Sequence, residues 1–293
     1  MPELSYFVVD VFTETALAGN PLAVVMNTCG LSTEQMQSIA REFNLSETTF
    51  VERRKREVEL AEGVRVRIFT TREELKFAGH PTLGTASVLK LHAPEAVNAD
   101  TVTLALNVGP VPVRFESGGL RGTMTQRDPE FGEQLDRATV ARLTGLSSDD
   151  LDASLTPQCV STGTAFAIVV LQSMEALARL RVDQEAATEF LRERGARFFY
   201  VMARADGRDQ WRARMQFYGG EDPATGSAAG CAICYLVAHG AVQSQEQIHV
   251  RQGVEVGRPS ELYLSARVVD ARMTDVRVGG STVPVANGRI FLP

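Results

Sequence analysis

Apolar and charged residues alternate in VRVRIFT (64–70), where Val64, Val66 and Ile68 share one side and Arg65 and Arg67 the other. That two-residue period predicts a half-buried strand. Further strand-like runs fall at 6–12 (YFVVDVF), 21–26 (PLAVVM) and 48–54 (TTFVERR). A helical run over 32–43 separates the second strand from the third, and Ser32 with Gln35 has the spacing of a capping box. The basic run Arg53 to Arg56, closely followed by Glu57, Glu59 and Glu62, reads as a solvated hairpin. A helix then opens at Pro81.

The second half repeats this order. A strand over 160–171 (VSTGTAFAIVVL) leads to helical stretches over 174–194, strands at 197–204 and 211–218, and a helix opening at Pro223. GNPLAVV (19–25) aligns with GTAFAIV (163–169) at an offset of 144 residues, and GHPTLGTA (79–86) with EDPATGSA (221–228) at an offset of 142. Two anchors at nearly one offset indicate a duplicated unit, and the period is far too long for a solenoid. In ATGSAAGCAICYLVAHG (224–240) no residue is charged, His239 aside. A helix apolar on all sides must be buried on all sides. The expected fold is therefore α+β, two pseudo-symmetric domains in which a curved, mostly antiparallel sheet wraps around a central helix. A doubly wound parallel sheet would need a regular strand and helix alternation that this chain lacks. Residues 116–137 are expected to cross between the units.

Composition narrows the function. The 293 residues are 44% hydrophobic, enough for a sizeable core, and carry a net charge of −6. No basic face for nucleic acid and no apolar run long enough for a membrane span is visible. A cytoplasmic location is expected. The four cysteines are too few for a disulfide framework. Cys231 and Cys234 form a C-x-x-C, but inside an apolar helical run, where they read as small core residues. Four histidines without zinc-type spacing predict no metal.

The repeated frame carries the candidate chemistry. Proline is favoured at the first helical position, which makes His80 and Asp222 the expected N-caps. The free amides of each first turn would then receive an anion. Gly84, Thr85, Gly226 and Ser227 keep the surroundings small enough for a ligand to approach the backbone. Aspartate is also a common cap with no catalytic role, and the glycines also suit helix packing. Glu47, at the junction NLSETTFVE, offers a proton-transfer group beside an apolar wall that includes Phe50, although locally it also reads as a surface glutamate.

At these residues the sequence resembles the phenazine-biosynthesis isomerases, the PhzF-like family, which share the fold of diaminopimelate epimerase. The resemblance covers nearly the whole chain: DVFTETALAGNPLAVV (10–25), NLSETTFV (44–51), FAGHPTLGTA (77–86), STGTAFAIV (161–169), GEDPATGSAAG (220–230), QGVEVGRPSELYL (252–264) and VGGSTVPVANGRI (278–290). It implies an N-terminal domain over 1–118 completed by 279–293, a C-terminal domain over 119–278, and an active-site cleft between them. It also implies a cofactor-independent isomerase acting on a small carboxylate-bearing metabolite, with Glu47 as acid and base and with His80 and Asp222 as further catalytic residues. Gly79, Gly226 and Ser227 would bind substrate through the backbone, with Ser46 and Asn20 lining the cleft. The thiol pair of diaminopimelate epimerase would fall at the two helix N-termini, where this chain has no cysteine. An epimerase or racemase of an amino-acid-like substrate, and a catalytically silent ligand-binding protein, stand as alternatives. A homodimer is expected.

Overall fold

In the computed structural model, which describes residues 3–207, 209–218 and 220–292, the alternating runs become strands and the apolar runs become central helices. The chain divides into two compact units, Met1–Thr125 with Gly279–Pro293, and Gln126–Val278.

In the first unit, β1 (Glu3–Val11) pairs antiparallel with β2 (Asn20–Val25), and α1 (Thr33–Phe43) leads to β3 (Glu47–Glu52), parallel to β2. The Ser32–Gln35 capping box starts α1 as the spacing predicts. After α2 (Arg56–Glu62), β4 (Val64–Phe69) pairs antiparallel with β3 and with the short β5 (Glu74–Leu75). Helix α3 (Gly79–His92) then carries the chain to β6 (Thr101–Leu106), parallel to β4, and β7 (Gly109–Phe115) and β8 (Gly122–Gln126) follow antiparallel.

The second unit runs through β9 (Glu130–Gln134), α4 (Arg137–Leu143) and β10 (Gln158–Ser161), which pairs antiparallel with β9 and with β11 (Ala165–Leu171). Helices α5 (Met174–Ala178) and α6 (Gln184–Arg192) lead to β12 (Phe199–Arg204), parallel to β11, and β13 (Gln210–Arg214) pairs antiparallel with β12. A small ladder, β14 (Gln216–Phe217) with β15 (Gly220–Glu221), precedes α7 (Gly226–Ala238). Then β16 (Ile248–Gln252) lies parallel to β13, β17 (Ser260–Val269) antiparallel to β16, and β18 (Arg272–Gly280) follows. The chain then returns to the first unit, where β19 (Thr282–Phe291) pairs antiparallel with β1.

From β1 to β7 the ladders are antiparallel, parallel through helix, antiparallel, parallel through helix, antiparallel. From β10 to β17 the same order recurs. The duplication read from the two anchors is thus a duplication of topology.

Each unit places one helix in its core. Residues 79–89 of α3 and 226–236 of α7 are all buried. Full burial of Leu83 and Leu89 contributes roughly 1.5–3 kcal/mol each. Gly84 sets how closely α3 meets the sheet, because a Cβ there would stand 2.7 Å from both Leu22 Cδ2 and Val11 Cγ2. Its small size serves packing, and a ligand does not use that space. Helix α1 instead covers the other face, burying Met36, Ile39 and Ala40 with Val25, Phe50 and Phe69.

Several elements differ from the sequence expectation. The basic run is no solvated hairpin: it leads into α2, where the buried Glu59 accepts two hydrogen bonds from Arg53 at 2.9 Å and the Arg54 amide at 2.7 Å. Glu59 thus pairs with Arg53 from inside, while the Arg54 guanidinium reaches Glu62. The strand expected over 160–171 is a hairpin, β10 and β11, turning through Gly163 at φ 132°. Ser173 and Asp183 cap α5 and α6 as separate short helices. The segment 116–137 does contain the passage from the first unit to the second, at Thr125–Gln126, and it also holds strands β8 and β9.

Candidate active site

Glu47 owes its place to the end of α1. Asn44 terminates that helix in the left-handed region at φ 51°, its N–H donating to the Ala40 carbonyl. The chain bends through the half-buried Ser46, and Glu47 opens β3 opposite Leu22. Because strand side chains alternate, Glu47 and Thr49 share one face and Phe50 takes the other. Thr49 Oγ1 lies 2.8 Å from Thr85 Oγ1, so the Glu47 face is the one toward α3. Phe50 packs under α1 and forms no wall for Glu47, contrary to the sequence reading. Five residues along α3 advance about 7.5 Å and two along β3 about 6.6 Å, so the register that joins Thr49 to Thr85 also brings Glu47 to His80. Glu47 Oε2 stands 3.4 Å from His80 Nε2.

His80 is not an N-cap. Helix α3 begins at Gly79 with Ala78 as its cap, which makes His80 the second helical residue and Pro81 the third. There the missing amide of proline costs nothing, since the first-turn amides have no intrahelical acceptor. The imidazole is 3% exposed. Asn20, fully buried at the start of β2, places its Nδ2 3.2 Å from His80 Nδ1. With the amide so oriented, Nδ1 accepts and the ring proton sits on Nε2, the nitrogen facing Glu47. Burial pushes the His80 pKa down to about 3. The ring is therefore neutral at physiological pH, a hydrogen-bond donor without charge.

In the second unit, α7 opens at Gly226 with Thr225 as its cap, four residues beyond Asp222. The repeated Pro frame thus starts two helices at different places. A helix beginning at Pro223 would use the Asp222 carbonyl as an intrahelical acceptor, whereas here that carbonyl accepts from Gln252 Nε2 at 2.9 Å. The first helical bond comes from Ala229 N–H to the Thr225 carbonyl at 2.9 Å. Asp222 is 8% exposed; its Oδ2 accepts from the Thr225 hydroxyl at 2.6 Å. Its neighbour Glu221 is clamped bidentately by Arg214 at 2.9 and 2.7 Å. Gly226 and Ser227 form the first turn of α7, both buried, and the Gly226 carbonyl accepts from Gln126 Nε2 at 2.8 Å.

The structure therefore brings Asn20, Glu47 and His80 together, with Gly79 beside them at the start of α3. Asp222, Gly226 and Ser227 gather at the start of α7. Sequence reasoning missed Thr225 and Gln252. Thr225 had a visible signal, since it replaces Leu83 of the first frame. Gln252 had none locally, because it reaches Asp222 from 30 residues away. Cys231 and Cys234 lie inside α7, where burial pushes the Cys231 thiol up to about 11 and raises Cys234 as well. Among the described residues no group of three His, Cys, Asp or Glu side chains is arranged to hold a metal ion. Among them, too, no helix is long and apolar enough to cross a membrane.

This duplicated architecture is the diaminopimelate epimerase-like fold, and its relatives are isomerases and epimerases. A hydroxyproline epimerase from Agrobacterium vitis, solved with bound trans-4-hydroxy-L-proline, shares that fold with a TM-score of 0.62 at 13% identity, over 98% of this chain and 92% of its own. A predicted epimerase from Pseudomonas aeruginosa matches at 34% identity with a TM-score of 0.84, over 99% of this chain and 100% of its own. The trans-2,3-dihydro-3-hydroxyanthranilate isomerase of Pseudomonas aeruginosa is 37% identical over 98% of this chain and 99% of its own. The chain belongs to the phenazine biosynthesis-like protein family (PhzC-PhzF), whose model matches residues 9–288.

Proposed function

We propose that this chain moves a proton between two carbons of a small, carboxylate-bearing cyclic metabolite without a cofactor, Glu47 serving as both acid and base. The observation that carries this reading is the Glu47 carboxylate set 3.4 Å from a buried, neutral His80. In the reaction, a C–H bond of the substrate breaks, its proton passes to a Glu47 oxygen, and the electron pair shifts through an adjacent double bond. The same proton, or one exchanged with solvent, then returns to another carbon on the same face. Atoms and charge balance without a redox partner. A general base so placed contributes roughly 10²–10⁴-fold.

The neutral His80 refines the expected role of this residue. Its Nε2–H can hold only an acceptor, so it supports Glu47, a substrate oxygen or a neutral amine, and does not bind an ammonium group. Asp222 supplies the complementary acceptor for a substrate amine or hydroxyl. The amides at the start of α3 and α7 would meet carboxylate or developing enolate charge. Ser46 and Asn20 complete the substrate surroundings. The relative named as trans-2,3-dihydro-3-hydroxyanthranilate isomerase supports a substrate that combines carboxylate, amine and hydroxyl on a partly unsaturated ring.

Incubating the protein with that compound in D₂O and following it by NMR tests the reading. Double-bond migration supports it, with the original hydrogen or solvent deuterium at the new C–H position and no deuterium elsewhere; an unchanged compound rules this substrate out. The likeness to a predicted epimerase supports a second reading, exchange at one stereocentre. Deuterium entering with inversion, and with no double-bond shift, would favour that reaction.

A further inference from the structure

From the hydrogen bonds around Asp222, we infer that Gln252 and Thr225 form a positioning pair that fixes the orientation of the Asp222 carboxylate. This inference deepens the proposed function, since it rests on Asp222 holding substrate.

Gln252 is fully buried at the end of β16, and its amide makes four hydrogen bonds. Nε2 donates to the Asp222 carbonyl and to Thr225 Oγ1, both at 2.9 Å. Oε1 accepts from the Thr225 amide and from the Tyr200 hydroxyl, both at 3.1 Å. The amide cannot be reversed. A backbone N–H only donates and a backbone carbonyl only accepts, so each end of the side chain has one permitted identity. Burial, and then the Asp222 charge, push the Tyr200 phenol up, which keeps it a donor.

Direction then propagates. Thr225 Oγ1 receives a proton from Gln252, so its own hydrogen points to Asp222 Oδ2, 2.6 Å away. The relay runs from Tyr200 to Gln252 to Thr225 to Asp222 with every donor defined. Gly253, next in the chain, permits this close docking: at φ 78°, a Cβ there would stand 2.5 Å from the Pro223 carbonyl oxygen. With Oδ2 held by the Thr225 hydroxyl, the orientation of the carboxylate is set by the relay. Buried, fully satisfied networks of this kind specify a single geometry.

Crystal structures and kinetics of Thr225→Val, Thr225→Ser, Gln252→Glu and Asp222→Asn test the inference, with trans-2,3-dihydro-3-hydroxyanthranilate as the probe. Thr225→Val keeps the amide and the shape but removes the relay hydroxyl. We expect the Asp222 carboxylate to leave its native rotamer in Thr225→Val and to keep it in Thr225→Ser. The rate should fall at least tenfold in the valine variant at little change in melting temperature, and recover in the serine variant. Gln252→Glu keeps the acceptor but at neutral pH turns the Thr225 hydroxyl away from Asp222. Protonation restores the donor, so its pH–rate profile should move to acid relative to wild type. An unmoved carboxylate in Thr225→Val, or a Gln252→Glu profile that superimposes on wild type, would overturn the positioning pair. Full activity in Asp222→Asn would instead refute the substrate-holding role of Asp222. Should wild type leave the probe unchanged, the carboxylate rotamers still decide between positioning and mere packing.

Discussion

A histidine that is neutral because it is buried must make the folded state weaker in acid. His80 has its pKa pushed down to about 3 in the fold, against about 6.5 for an unperturbed histidine. Between those values the unfolded chain binds a proton that the folded chain does not, so stability is intact above pH 6.5 and is lost as pH falls toward 3. Each pH unit inside that window costs about 1.4 kcal/mol. From pH 7 to pH 4.5 the linkage relation gives about 2.5 kcal/mol for this one ring. Other groups titrate in the same range, so the quantity to measure is a difference. His80→Asn removes the titration while leaving an oxygen where Nδ1 accepts from Asn20. Both proteins are compared in a Glu47→Gln background, so that the carboxylate 3.4 Å from Nε2 does not titrate alongside. Urea denaturation at half-unit steps should show the stability of the histidine protein falling, relative to the asparagine one, by about 2.5 kcal/mol. A difference that is flat with pH would refute burial as the dominant influence on this ring. A difference that grows in favour of histidine in acid would mean that the imidazolium is stabilised in the fold.

Other predictions come from packing and assembly. Gly84→Ala should destabilise by about 1–3 kcal/mol through overpacking against Leu22 and Val11, measurable as a lower melting temperature without loss of the probe reaction. Iodoacetamide at neutral pH should label the exposed Cys29 and spare the buried Cys159, Cys231 and Cys234, by mass spectrometry of the native protein; labelling of Cys231 with loss of activity would return a thiol to the chemistry. The chain of 31.9 kDa is expected to run as a homodimer by light scattering, and a monomer mass at micromolar concentration contradicts that expectation.

Much of the fold was legible because its signals are local. Alternation in Val64–Phe69, the capping box at Ser32 and the uncharged run in α7 each state their own environment. The duplicated topology was legible because two anchors sat at nearly one offset. Helix starts were not, because they depend on partners far off in the chain: the Asp222 carbonyl accepts from Gln252 and α7 begins only at Gly226, whereas α3 begins at Gly79, where the Ala78 carbonyl accepts from the Thr82 hydroxyl and amide. Phe50 was assigned to the Glu47 face because it is near in sequence, although strand alternation puts it on the other face. The neutral state of His80 comes from its burial, and its neighbours Asn20 and Glu47 stand 60 and 33 residues away in the chain, so neither is visible in the local sequence.

The central claim is that Glu47 carries the proton, and Glu47→Gln tests it most directly. The amide preserves size and a contact with His80 Nε2–H through its oxygen but cannot take a proton from carbon. Single-turnover rates with trans-2,3-dihydro-3-hydroxyanthranilate, paired with titration of the same compound, separate chemistry from binding. The account predicts a melting temperature close to wild type, affinity within a few fold, and a rate of double-bond migration lowered roughly 10²–10⁴-fold. A Glu47→Gln protein that turns over the compound at a rate within tenfold of wild type would contradict it.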